Sequence, residues 1–346
     1  LRLPTRDWQI FSHPWASLDK RNSRAHSLRC VPPESSSPSG AFTASATAPA
    51  PAASRHTVRP RTFFKRLFSW IALWIVALWF VFYGWDTACL ILIALFGLAG
   101  QWEFYRAQEE KGHKVFKQSG LFCGALVFFA SWYFLVAQTQ HSHLVHFGEE
   151  LVLVIALLGA FVRLVIVHEA NREPITTAAL TLLGLLYVPY LFNYVALLAF
   201  APGHATEGRY LLVYLLAVTK FSDVGAYVFG SLFGRHKMIP RISPGKTWEG
   251  FAGAILTSLG ISWTMVYALG SRLSQISPTD SIILGLLLPL VSVIGDLAES
   301  VVKRDASIKD SGRTIPGIGG ALDLIDSILF TAPVLYFYLA FTQATP

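Results

Sequence analysis

The chain has 346 residues, of which 53% are hydrophobic and only 14% charged, against about 25% charged in ordinary soluble domains. With a mean hydropathy of +0.48, this composition excludes a typical soluble protein and predicts an all-α, polytopic membrane protein. The net charge of +7 reads as loop bias rather than nucleic-acid binding, because no nucleic-acid motif and no clustered basic-aromatic surface accompany it.

Residues 1–57 differ from everything after them. They are rich in Ser, Ala and Pro, poor in acidic residues and without sustained periodicity, so they are expected to be disordered, because such a segment buries too little apolar surface to offset its ordering entropy. The same Arg/Ser-rich composition also fits an organellar transit peptide. Since Leu stands at position 1, a mis-set start or a fragment is an equal expectation. The membrane domain is expected over 58–346.

Apolar runs follow at about 67–84, 86–105, 119–138, 150–168, 176–200, 210–232, 250–270, 281–302 and 325–343, which predicts nine spans. Eighteen basic residues fall on one set of alternating loops: Arg55, Arg59, Arg61, Lys65, Arg66; Arg106, Lys111, Lys114, Lys117; Arg172; Arg235, Lys237, Arg241, Lys246; Lys303, Arg304, Lys309, Arg313. The other set carries only Arg209 and Arg272. The positive-inside rule then puts the N-terminus in the cytoplasm and the C-terminus on the far side.

Several single residues receive unremarkable readings. Cys89 and Cys123 lie in apolar runs, and the three cysteines have neither CxxC spacing nor a paired His, so buried thiols are expected rather than a disulfide or zinc site. Arg163 is read as snorkelling to the interface. His141, His143 and His146 are read as a solvated loop cluster, and Pro189 as a helix kink.

In the sixth run, Lys220 and Asp223 stand three residues apart, and ionisable groups within a span face a bundle interior or a water-filled cavity. A basic segment stiffened by Pro240 and Pro244 follows, ending Ser243-Pro-Gly-Lys246-Thr-Trp-Glu249-Gly250. Its Gly-Lys-Thr lacks the first glycine and the preceding strand of a P-loop, and that reading is rejected.

The most informative stretch is 292–327. Asp296, Glu299, Ser300 and Lys303 fall at i, i+3, i+4 and i+7, on one helical face. Arg304, Lys309, Asp310 and Arg313 come next, then Pro316-Gly-Ile-Gly-Gly320, then Asp323 and Asp326 opening the last apolar run. Carboxylates and cations converging at helix ends suit a divalent cation that carries phosphates.

The run Ser300-x-x-Lys303-Arg304-x4-Lys309-Asp310, followed by Pro-Gly-x-Gly-Gly-x-x-Asp323-x-x-Asp326-Ser327, resembles the signature of the phosphatidate cytidylyltransferases (CDP-diacylglycerol synthases). Asp223-Val-Gly-Ala226-Tyr227 and the Ser-Pro-x-Lys-Thr-x-Glu-Gly segment resemble the family's other characteristic block. The resemblance covers about 215–330 by motif and 67–215 by hydropathy alone. Two positions depart from it: Ile318 stands where the family commonly has His, and Leu324 where it has Arg.

The resemblance implies transfer of a cytidylyl group from CTP to phosphatidate, giving CDP-diacylglycerol and pyrophosphate for phospholipid synthesis. It implies metal ligation by Asp296 and Asp323, with Asp326 and Glu299 behind them, for Mg²⁺ with room for a second cation. Lys303, Arg304, Lys309 and Asp310 are the expected catalytic residues; Lys220, Asp223, Ser243, Lys246 and Arg313 are expected to bind substrate. A bacterial cell (inner) membrane and a homodimer complete the expectation. A CTP-dependent polyprenol or lipid kinase would share spans, CTP and acids but release CDP. A secondary transporter should show an internal repeat or paired broken helices, and neither is apparent. The CDP-alcohol phosphotransferase pattern is absent from the sequence.

Overall fold

A computed structural model describes residues 75–76, 78–137, 144–166, 173–200, 205–306, 312 and 319–344. The segment 1–57, Cys30, most of the first expected span, His141, His143, Arg172, Lys309, Asp310, Arg313 and Ile318 lie outside them. Helix α1 is Asp86–Glu110. Helix α2 (Lys117–Ser131) continues through a π-helical turn, Trp132–Ala137. Helix α3 is Leu144–Ile166. Helix α4 (Pro174–Leu185) joins α5 (Leu191–Ala199) through a second π-turn, Leu186–Tyr190. The long helices α6 (Ala205–Phe233), α7 (Trp248–Leu269), α8 (Pro278–Asp305) and α9 (Ala321–Ala344) follow.

Among the described residues, seven helical segments are long and apolar enough to cross a membrane: α1, α2 with its π-turn, α4 through α5, α6, α7 with the 3₁₀ turn after it, α8 and α9. The protein is an integral membrane protein. The fourth expected span is present as the 23-residue α3, which is not among the seven. Of the first expected span, the described residues 75–76 and 78–83 are helical.

Large apolar residues such as Leu158, Val165, Leu256, Trp263 and Phe341 stay exposed on outer helix faces, as a lipid-facing surface requires. Helix α5 is the reverse: eight of its nine residues, Phe192–Ala199, are buried, and it forms part of the main core with α1, α6 and α9. Pro189 lies inside the π-turn that leads into α5. A proline has no N–H to donate to the preceding turn, and the widened turn is where the helix absorbs that loss.

Helices α6 and α7 pack closely through small residues, as membrane helices do. A Cβ on Gly253 would meet Phe229 Cβ at 2.3 Å, and one on Gly225 would meet Thr257 Oγ1 at 2.3 Å. Between α6 and α7 the expected loop contains a small antiparallel hairpin, β1 (Lys237–Ile239) and β2 (Ser243–Thr247), paired Lys237 to Thr247 and Ile239 to Ser243. Strands this short, with Pro240 and Pro244 at their ends, give no alternating pattern that would announce them. Glu249 anchors the hairpin, accepting from the backbone N–H groups of Arg235 (3.1 Å) and His236 (3.2 Å) and bonding His236 Nδ1 at 2.6 Å.

Candidate functional site

Helices α6, α8 and α9 bring most of the sequence-flagged charges together, with β2 adding one more. Asp223 lies ten residues before the end of α6, about 15 Å along the axis at 1.5 Å per residue. A carboxylate at that depth needs partners. Asp223 Oδ1 accepts from Ser292 Oγ of α8 at 3.1 Å, and Oδ2 from Ser327 Oγ of α9 at 3.5 Å. Lys220 Nζ stands 3.6 Å from Asp223 Oδ2 and donates to Ser327 Oγ at 2.9 Å. The expected i, i+3 pair exists, and it is tied to both neighbouring helices.

Lys246, held on β2 beneath the bundle, donates to Asp296 Oδ2 at 3.0 Å and to the Val293 carbonyl at 3.2 Å. On the same face of α8, Lys303 bridges two acids. Its Nζ is 2.6 Å from Glu299 Oε2, one helical turn back, and 3.0 Å from Asp323 Oδ1 on α9. Asp323 Oδ2 accepts from the Gly320 N–H at 2.9 Å, and Asp326 Oδ1 from the Ser327 N–H at 2.6 Å. The helix-capping role expected of acids in a first turn is therefore real for Asp323, but its other oxygen faces Lys303. Helices α8 and α9 meet tightly here, since a Cβ on Gly295 would lie 2.7 Å from the Asp326 carbonyl oxygen.

The lysines close three of the four acids expected to ligate metal into ion pairs. Among the described residues, no three His, Cys, Asp or Glu side chains are already gathered as a metal-ligand set. One oxygen is left over: Glu299 is 2% exposed and its Oε1 has no hydrogen-bond partner. A buried carboxylate oxygen without a donor is costly, and it suits a hard cation. Arg304 points away from the acids, its Nε 3.4 Å from the Ile242 carbonyl. Ser243 serves in the hairpin register opposite Ile239.

Two cavities meet at Asp223. One, of about 440 Å³, runs between α1, α5, α6 and α9; Ile93, Phe96, Phe192, Leu216 and Ile328 are among its walls, and Lys220, Asp223 and Asp323 form its polar end. Leu324, one of the two departures from the resembled signature, also lines it. The other, of about 300 Å³, is lined by Ser222, Asp223, Lys246, Thr247 and Asp296 among others. Asp223 is common to both.

Sequence reasoning gave no role to Ser292 and Ser327, although both lie in the stretch it singled out, or to Tyr187. The Tyr187 hydroxyl is buried without a hydrogen-bond partner. Nothing in the spacing around Tyr187 marks it. Of the other flagged residues, Cys89 lines the larger cavity, whereas Cys123, Arg163 and His146 line neither. Cys89 and Cys123 are buried free thiols. Arg163 donates to Ser119 Oγ at 2.6 Å and lies over the Phe116 ring. His146 bonds Glu149 and Tyr336.

The comparisons with known proteins converge on one group. The phosphatidate cytidylyltransferase of Haemophilus influenzae is 40% identical over 134 residues, 38% of this chain and 46% of that protein. That of Mycobacterium leprae is 41% identical over 150 residues, 43% and 46% of the two chains. The Escherichia coli uncharacterized protein YnbB is 36% identical over 159 residues, 46% of this chain and 52% of its own. The chain thus spans about half the length of these curated relatives. Residues 64–342, most of the sequence and the whole of the site just described, match the cytidylyltransferase family as a unit, and the chain belongs to that family.

Proposed function

We propose that this protein transfers a cytidylyl group from CTP to phosphatidate, forming CDP-diacylglycerol and pyrophosphate. The observation that carries the reading is the pair of cavities joined at Asp223. One has apolar walls suited to acyl chains with Lys220 at its polar end; the other, smaller one carries Ser222, Lys246, Thr247 and Asp296 on its wall. A lipid and a nucleotide entering from these two sides would meet with their phosphates among the lysines. Two of the relatives are phosphatidate cytidylyltransferases.

In this reading, Lys246 binds the CTP phosphates from the hairpin, and Lys220, steadied by Ser327, binds the phosphatidate phosphate. A phosphatidate oxygen forms a bond to the α-phosphorus of CTP. The bond from that phosphorus to the bridging oxygen of the β-phosphate breaks, and pyrophosphate leaves with the electron pair. Such a transfer depends on in-line positioning and charge neutralisation more than on a protein nucleophile. Lys303 moves no proton; it fixes Glu299 and Asp323 on facing helices.

Asp296, Glu299, Asp323 and Asp326 are all hard oxygen donors and would hold Mg²⁺, with room for a second cation; the unpartnered Glu299 Oε1 supports this. When bound, the metal neutralises adjacent phosphates. Arg304, Lys309, Asp310 and Arg313 complete the sequence signature that follows Lys303. The bacterial relatives and the eighteen-to-two loop charge bias support a bacterial cell membrane with a cytoplasmic N-terminus.

The test is purified protein with phosphatidate, labelled CTP and Mg²⁺. Labelled lipid with pyrophosphate is expected. CDP with an unlabelled phosphorylated lipid would identify a CTP-dependent kinase instead, and no CTP turnover would overturn both. Sizing the same sample in detergent is expected to give a homodimer.

A further inference from the structure

Helix α9 carries Asp323 and Asp326, yet the residue before its first turn has no side-chain acceptor. The residue before Ala321 is Gly320, which has no side-chain oxygen to accept from the free N–H groups of the first turn. Asp323 reaches back to the Gly320 N–H, satisfying one of them. The Leu322 N–H is satisfied from another helix altogether: it donates to Glu103 Oε2 of α1 at 2.9 Å. Glu103 is fully buried. A carboxylate at a helix N-terminus is favourable both as an acceptor and against the helix dipole.

The other Glu103 oxygen faces Gly312. A Cβ on Gly312 would lie 2.3 Å from Glu103 Oε1 and 2.7 Å from its carboxyl carbon. The chain passes so close to this carboxylate that only glycine fits without a shift. One buried side chain of α1 therefore meets both the first turn of α9 and Gly312.

We propose that Glu103 is a positioning residue, which caps α9 from across the bundle and so holds Asp323 against Lys303. This rests on the function proposed above only in taking Asp323 and Lys303 as working parts of the site. Its effect passes through α9, and it touches no substrate. In Glu103→Ala, the Leu322 N–H and its first turn lose their acceptor. In Glu103→Gln, one oxygen can still accept from Leu322, but an amide NH₂ then faces Gly312.

The test is hydrogen exchange on the full-length protein in lipid nanodiscs, together with turnover. Glu103→Ala is expected to speed exchange at the 320–323 amides by tenfold or more, leave the rest of α1 and α5 protected, and lower turnover at saturating Mg²⁺ about tenfold. Glu103→Gln should fall between Glu103→Ala and the parent. Gly312→Ala should reproduce the loss, and in the double variant the two losses should not multiply, because both act through one contact. Three results would overturn the proposal: unchanged exchange at 320–323, exchange accelerated throughout α1, or losses that multiply. Because exchange needs no substrate, altered protection in a protein that makes no lipid product would support Glu103 while refuting the cytidylyl reading.

Discussion

The bundle buries two polar clusters, and they are built on opposite principles. In one, Glu149 of α3 is 2% exposed and meets mainly neutral groups. Asn193 Nδ2 donates to its Oε1 and to Ser131 Oγ, which in turn bonds Asn193 Oδ1 at 2.9 Å, while His146 stands 3.2 Å from Oε2 and bonds Tyr336 at 2.9 Å. Both carboxylate oxygens have partners, and neither cavity described above reaches Glu149. The other cluster is made of charge against charge: Lys220 with Asp223, Lys246 with Asp296, and Lys303 with Glu299 and Asp323. Two cavities open onto it, and Glu299 Oε1 has no partner. The comparison shows what separates a polar group that fastens helices from one arranged to act. The fastener is satisfied and closed, whereas the working cluster is accessible and incomplete.

If the comparison holds, mutation at the two clusters should move different observables. The largest effect belongs to Asp296→Asn and Asp323→Asn, which keep shape but remove a charge from a hard-cation site. Turnover should fall on the order of a hundredfold or more, with insertion and thermal stability near those of the parent, and excess Mg²⁺ should partly restore it. Parent-like turnover in both variants would reduce these acids to caps and helix-pairing contacts. At the closed cluster, Glu149→Ala should take one hydrogen-bond partner each from Asn193 and His146 and cost about 1–3 kcal/mol of stability. That loss is read as earlier unfolding in detergent, while turnover per folded molecule stays unchanged. A selective loss of turnover there would dissolve the distinction between the clusters.

What the sequence showed of this molecule, and what it hid, follows the same division. Spans and charge bias are additive properties of local composition, so most membrane helices could be read directly, and the spacing of Asp296, Glu299 and Lys303 put them on one helical face before any packing was known. Which acid meets which lysine depends on how α6, α8 and α9 pack, and no local pattern carries that. The hairpin beneath the site stayed hidden because two strands of three and five residues leave no periodic trace. Glu103 could have been found by the same rule that flagged Lys220 and Asp223, as an ionisable residue within an apolar run. It sits at the C-terminal end of that run, next to Trp102 and close to Arg106, where it reads as one more interface residue.

The smallest predicted effect tests the division inside the working cluster itself. Ser327 is fully buried and joins Lys220 to Asp223. Lys220 borders the larger cavity and not the smaller one, whereas Lys246 borders the smaller cavity and not the larger one. Removing the hydroxyl in Ser327→Ala leaves Lys220 with its direct contact to Asp223 at 3.6 Å, so the lysine is loosened rather than freed. The loss of one such hydrogen bond is worth about 1 kcal/mol, which corresponds to about a fivefold rise in the KM for phosphatidate with that for CTP nearly unchanged. Lys246→Met should show the opposite split, raising the KM for CTP more than that for phosphatidate. If Ser327→Ala raises both constants equally, the two cavities act as one chamber. Lys220 and Lys246 would then share both sets of phosphates instead of dividing lipid from nucleotide.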